Sequence, residues 1–216
     1  MAVADTRKAI AEAAAREFLL HGYAGTSLSG IAERLHLTKG ALAYHFPTKA
    51  DFATYFTRLV RAATAQAYAH ATAEYPACGA RRLLLHFLIL ARWRASDPRY
   101  AAGIALLTDH ASPAFESDDV LRDWLALSIE SLESARESDQ GLSTLEAAEV
   151  FMVMNLGAVF FGHRVRLNAP GTKKLRFVRA GLAAVGVPHV DEHAEAVLAA
   201  HEGRIPALDY SAIAER

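Results

Sequence analysis

The sequence predicts an all-α protein. Apolar residues recur at helical spacing through most of its 216 residues, and the alternating apolar–polar runs that signal strands are nearly absent. Gly22, Pro47, Pro76, Pro98, Pro113, Gly141, Pro170, Pro188 and Pro206 then cut the chain into blocks of helix length. At 52% hydrophobic residues there is enough apolar mass for a substantial core, arranged as one large domain or two small ones.

The first helix is expected from about Asp5 to His21, with Ile10, Ala14, Phe18 and Leu19 as its buried stripe and Gly22 as its terminator. Two short helices with a tight turn between them follow. Thr26 or Ser27 caps the first, because a hydroxyl satisfies an amide that has no partner at a helix N-terminus. Leu28, Ile31, Ala32 and Leu35 give it one apolar face. Thr38 caps the second, and Pro47 stops it. That second helix is barely two turns long, so its neighbours must hold it.

Its surface carries unusual chemistry for so short an element. Lys39 sits in the first turn, where the helix dipole disfavours a cation; a DNA phosphate or a guanine edge would give it a partner. Gly40 and Ala41 add almost no bulk, so the backbone could approach a groove closely. Tyr44, His45 and Lys49 supply further donors of the kinds phosphate oxygens accept from. A helical hairpin with a plain solvated face has the same spacing, and periodicity does not choose between the two.

Thr48 starts a long helix from Lys49 to about Tyr75, with Phe52, Phe56, Leu59, Val60 and Ala63 along one face. A further helix carries Leu83, Leu84, Phe87, Leu88 and Leu90 and ends near Asp97. Pro98 opens a short segment to Asp109, and a loop at 110–117 leads to a helix expected from Asp118 to Gln140. The next, Thr144 to about Asn168, is apolar nearly all round from Val150 to Gly162, as a central or subunit-shared helix is. Pro170 or Thr172 begins another that ends at Gly186, and Asp191–Glu202 makes the last.

Gly22-Tyr23, Thr26-Ser27-Leu28, Ile31-Ala32 and the run from Thr38 to Lys49 resemble the N-terminal DNA-binding domain of the TetR family of repressors. The resemblance spans about residues 5–55. It implies a three-helix helix-turn-helix domain over 1–48 and a larger ligand-binding and dimerisation domain over 49–216, joined by the helix at 49–75, which transmits the ligand signal. It implies that Lys39, Gly40 and Ala41 face bases, that Tyr44, His45 and Lys49 grip the backbone, and that Thr26 and Ser27 contact phosphate. Two positions depart from the pattern. Ala43 stands where the family usually has tyrosine, and Gly30 replaces a helix former, at a cost of roughly 0.5–1 kcal/mol.

In the second half, Trp93 and Trp124 are large rings whose indole N–H needs a partner when buried. Phe87, Phe151, Phe160 and Phe161 add aromatic area, Met152 and Met154 are adaptable gap-fillers, and Asn155 is a polar group inside an apolar helix. Such residues suit either an ordinary core or an apolar pocket with a few polar fixtures. Phe87, Trp93, Leu107, Trp124, Met152, Asn155 and Phe160 are the candidate lining. Asp97-Pro98, Ala102-Gly103-Ile104-Ala105-Leu106 and Asp123-Trp124 are similar to the γ-butyrolactone autoregulator receptors of filamentous actinobacteria. In that subgroup a tryptophan matching Trp124 lines the signal pocket, while other polar pocket positions appear here as Val60 and Ala158. The resemblance therefore implies a small hydrophobic effector, either γ-butyrolactone-like or a different molecule such as an antibiotic or its intermediate.

The chain reads as a symmetric homodimer that binds a double-stranded operator. A helix-turn-helix reads one half-site, two copies fit one turn of groove about 34–36 Å apart, and 149–167 and 172–186 offer apolar surface for a four-helix interface. A formal charge of −1 excludes polyanion binding by bulk electrostatics, and residues 1–55 balance six Lys/Arg against five Asp/Glu, so placement must supply the attraction. The single cysteine, Cys78, suits a reducing cytoplasm. No apolar tract reaches the roughly 20 residues of a membrane span, and the charged N-terminus is no signal peptide. An enzyme is the rival class, but no phosphate loop, nucleophile elbow or triad spacing is present. His189, His193 and His201 are the best metal search, without the glutamate that hydrolytic sites need; no metal and no cofactor is expected. A helical ligand-binding protein that does not bind DNA is the other alternative.

Overall fold

A computed structural model describes residues 3–107, 109, 117–137, 141–164, 171–201 and 203–210, with side chains for all of these except 3–5, 117, 160–164 and 171–174. Among the described residues there are ten helices and no strand: α1 (Val3–Gly25), α2 (Leu28–Arg34), α3 (Lys39–His45), α4 (Lys49–Glu74), α5 (Gly79–Ser96), α6 (Pro98–Leu106), α7 (Ser117–Glu133), α8 (Thr144–Arg164), α9 (Gly171–Ala184) and α10 (Val190–His201). The all-α reading holds, as does the order of its elements.

Packing gathers the described parts of 1–62 and 94–120 into one compact unit and those of 63–93 and 121–210 into another. In the first, Ile10, Ala14 and Phe18 of α1 meet Ile31 and Ala32 of α2, Leu42 of α3, Phe52 and Phe56 of α4, and Ala102 and Leu106 of α6. The Phe46 and Phe52 rings stack with centroids 4.0 Å apart, closing the core directly behind α3. The short helices are thus held by burial of their apolar faces rather than by their own length. Gly103 allows α6 to lie on α4, since a Cβ there would come within 2.5 Å of the Phe56 carbonyl oxygen and of Val60 Cγ2.

Helix starts follow the expected side chains. The Ser27 hydroxyl accepts from the Gly30 amide and the Thr38 hydroxyl from the Ala41 amide, each at 3.1 Å. Thr48 and Asp51 bond each other reciprocally at the head of α4, and Ser143 and Glu146 do so at the head of α8, where the bond holds the Glu146 carboxyl below its ordinary range. Gly22 leaves helical geometry at φ 68°, although the helix assignment runs on to Gly25.

In the second unit α8 packs along α9, and α9 against α10. Gly79 at the start of α5 lies so close to α7 that an added Cβ would fall 1.8 Å from the Ser131 carbonyl oxygen. The expected end of α7 at Gln140 is corrected to Glu133. The Ser134 hydroxyl turns back to the Ser131 carbonyl, and the Arg136 guanidinium is drawn to the carbonyls of Val185 and Leu142. At this end the Ala135 amide bonds the Leu132 carbonyl three residues back, which tightens the last turn. A tail over 204–210 is pinned in the same unit: the Gln66 amide exchanges two hydrogen bonds with the Asp209 backbone, and the Trp93 indole N–H donates to the Pro206 carbonyl at 2.8 Å.

Candidate nucleic-acid interface

The turn from Leu35 to Thr38 sets α3 with Leu42 turned into the core and its other face outward. Thr38, Lys39, Gly40, Ala41, Ala43 and Tyr44 are exposed, Tyr44 by 77%, and His45 is half-buried with its ring edge-on to Tyr44 at 5.1 Å. Neither α2 nor α3 has an acidic residue in its first turn, so the positive ends of both dipoles are unopposed there. Lys39 adds its charge to that end.

Gly40 is the informative position. Nothing lies within 4 Å of where its Cβ would be, and its backbone is helical. Neither steric room nor a turn requires glycine, which costs a helix roughly 1 kcal/mol relative to alanine. Without a side chain, Gly40 leaves its backbone open to close approach from outside.

Two expected contacts are placed differently. Thr26 is 4% exposed, and its hydroxyl donates to the Gly22 carbonyl at 2.8 Å, so it closes the turn instead of facing outward. Of the pair, Ser27 is the exposed one at the start of α2. Lys49 is half-buried; its ammonium donates to the Tyr23 carbonyl at 2.7 Å and lies 4.3 Å from the centre of the Tyr23 ring. The Tyr23 amide, in turn, donates to Asp109 Oδ2 at 2.8 Å. Asp109 was not a sequence candidate, because 86 residues separate it from its partner and no motif joins them.

Residues 10–55 match the family model for bacterial regulatory proteins of the tetR family. This chain carries a tetR-family domain. No curated protein matches it. Solved structures share the fold across nearly the whole chain. A γ-butyrolactone receptor described as ArpA-like is 23% identical over 93% of this chain and 98% of that one, with a TM-score of 0.74. TylP, a tetR regulator from Streptomyces fradiae, is 20% identical over 94% and 100%, with a TM-score of 0.62. CprB from Streptomyces coelicolor, solved with its biological operator sequence, is 22% identical over 90% and 97%, with a TM-score of 0.68. The fold is therefore that of tetR-family regulators, which are DNA-binding proteins and not enzymes, and it resembles that of the butyrolactone receptors.

The pocket candidates are brought together only in part. In the second unit Phe87 of α5 meets Phe151 of α8 edge-on at 5.6 Å, next to half-buried Met152. Asn155 is buried and donates to the Phe151 carbonyl at 2.8 Å, where Gly181 of α9 leaves it room. The Trp124 indole donates to the Thr64 hydroxyl at 2.8 Å. Trp93 is held by the tail as above, Leu107 belongs to the first unit, and the side chain of Phe160 lies outside the described residues. The three histidines of the metal search have separate neighbours: His189 the Glu192 carboxylate, His193 the Arg81 guanidinium and His201 the Tyr75 hydroxyl. Among the described residues no group of three metal-ligating side chains converges, and no helix is long and apolar enough to cross a membrane.

His86 was also missed. It is buried beside Tyr68 and Phe87, its Nδ1 has no hydrogen-bond partner, and burial pushes its pKa down to about 3. A single histidine in an apolar helix gives no sequence signal for this.

Proposed function

We propose that this protein is a homodimeric transcriptional repressor whose α3 enters the major groove of a palindromic operator and which lets go when a small hydrophobic effector, of γ-butyrolactone type, binds the second unit. Residues 1–48 would read DNA and 49–216 would bind effector and partner. The observation that carries the reading is the outer face of α3, where Lys39, Gly40, Ala41 and Tyr44 stand clear of the protein beside an uncompensated helix N-terminus. Lys39 and the Gly40–Ala41 backbone meet base edges; Ser27, Thr38, Tyr44 and His45 hold phosphates. For the dimer, α8 exposes Leu145, Val150 and Val153, the last by 70%, a face that a second copy would cover. Release requires that the effector bind the DNA-incompetent arrangement more tightly, with α4, which supplies residues to both units, as the moving part.

A second effector reading has support of its own. The indole N–H groups of Trp93 and Trp124 and the carboxamide N–H of Asn155 all donate within the protein. This favours a molecule recognised mainly by its apolar shape, distinct from a butyrolactone.

The test is selection of duplexes from a random pool by the full chain. A symmetric site with half-site centres about 34–36 Å apart is expected. Lys39→Ala should relax the base preference at one position per half-site, whereas Tyr44→Ala should weaken all sequences alike. Enrichment of nothing, or binding indifferent to Lys39→Ala, would leave the non-DNA-binding alternative standing.

A further inference from the structure

We infer that Asp109 is a positioning residue for the reading helix: with Lys49 it holds the backbone N–H and C=O of Tyr23 and so sets the turn from which α2 and α3 continue. The inference rests on the DNA-binding reading above. Asp109 takes the amide of Tyr23 at 2.8 Å and Lys49 its carbonyl at 2.7 Å, so one backbone residue lies between a carboxylate and an ammonium. Both bonds are charge-assisted, the stronger kind of protein hydrogen bond. The Lys49 ammonium also lies on the Tyr23 ring, which fixes the side chain along with the backbone.

Three elements meet at this point: the residues after α6, the break in α1 and the first turn of α4. The break is shaped for the carboxylate. Gly22 has φ 68°, and a Cβ on it would come within 3.2 Å of Asp109 Oδ2, so a side chain at 22 would be strained and would crowd the carboxylate that holds its neighbour. Asp109 also has a firm mount. α6 packs along α1, buries Ala102 and Leu106 in the core, and reaches α4 backbone at Gly103. α6 and Asp109 thus act as a strut between the core of this unit and the turn that carries α2 and α3. A displacement of its end would change the attitude of α3 without touching any residue that meets DNA.

Lys49 then acts through Tyr23 and not on phosphate, which separates this idea from a simple loss of charge. Each phosphate contact contributes about 0.9 to the slope of log K against log salt. On the best duplex selected by the unaltered protein, Asp109→Ala should weaken binding roughly tenfold, within the span of positional coupling, with the salt slope unchanged. Asp109→Asn keeps an acceptor and should fall between. Lys49→Met should weaken binding with the slope also unchanged, and Asp109→Ala/Lys49→Met should be little worse than the weaker single variant. Hydrogen exchange at the Tyr23 amide should quicken in Asp109→Ala. Unchanged affinity in Asp109→Ala with a freely exchanging Tyr23 amide would overturn the inference. So would a loss of affinity that only follows the folded fraction measured by circular dichroism, or a slope reduced by about one unit in Lys49→Met. If the unaltered protein selects no duplex, the DNA-binding reading fails first and this one with it.

Discussion

The two units treat their polar side chains in opposite ways. In the first, the residues set on the face of α3 stand outside: Lys39 and Tyr44 are exposed, and Gly40 has empty space where a side chain would be. In the second, the N–H donors of the candidate pocket are spent on the fold, Trp124 on Thr64, Trp93 on Pro206, Asn155 on its own helix. A surface meant for a partner as large as a duplex has to stay unpaired in the free protein, because water solvates it at little cost. A buried site cannot, since an unpaired polar group in an apolar interior costs about 1–3 kcal/mol. On the proposed reading, exposure would mark function in one unit and burial would hide it in the other.

The contrast can be sharpened by perturbing each unit in turn. The largest effect is expected from Gly79→Ala in the second, where the new methyl would be driven into the Ser131 carbonyl. Overpacking usually costs about 1–3 kcal/mol, and a backbone obstacle at 1.8 Å should put this variant at or beyond the upper end, as a lower thermal midpoint.

Taken per unit of pH, acid should act next, through His86. Its pKa in the folded protein, about 3, lies below the ordinary value of 6.5, so the unfolded chain binds the extra proton. The stability associated with a neutral His86 is complete above pH 6.5 and is lost as pH falls from there toward about 3. The slope in that window is about 1.4 kcal/mol per pH unit for one proton. Burial also lowers the pKa of His193 and His201, which adds to the effect with the same sign. Denaturant titrations at several pH values should show this dependence shrink in His86→Phe. An undiminished slope would mean that His86 is not the group responsible.

Smaller still, Thr38→Ala removes the cap of α3 and should cost about 1 kcal/mol, together with operator affinity, because α3 has only two turns. Trp124→Phe removes the Thr64 bond and should cost a similar ~1 kcal/mol in stability. An effect of that size on stability alone would mark the tryptophan as structural, whereas lost effector response at unchanged stability would return it to the pocket. Smallest of all, Tyr44→Ala should leave the thermal midpoint where it is and change DNA binding only. A clear drop in stability would break the comparison.

What the sequence made legible was local. Ser27, Thr38 and Thr48 cap the helices they precede, Gly22 breaks α1, and Pro47 follows the last residues of α3, because caps and breakers act within a turn of themselves. The outward face of α3 was equally legible, since it lies on seven consecutive residues. Interactions across the chain left no such trace. The Asp109–Tyr23 bond spans 86 residues and Trp124–Thr64 spans 60, and neither residue type announces its partner. Thr26 was misplaced for a related reason: a hydroxyl beside a helix start can face water or the preceding turn, and the carbonyl of Gly22 decided it. The Arg136 bond to the Val185 carbonyl, just past the end of α9, spans 49 residues and left no trace either.

The pinned tail sets a practical limit on how this chain can be shortened or labelled. Seven residues outside any helix are gripped by the amide of Gln66 and the ring of Trp93, so a truncation before Pro206 would strip an indole of its acceptor and leave a glutamine amide open. A fusion partner appended after Tyr210 hangs beyond both grips, and one placed inside the 204–210 stretch would pry at α4 and α5 together.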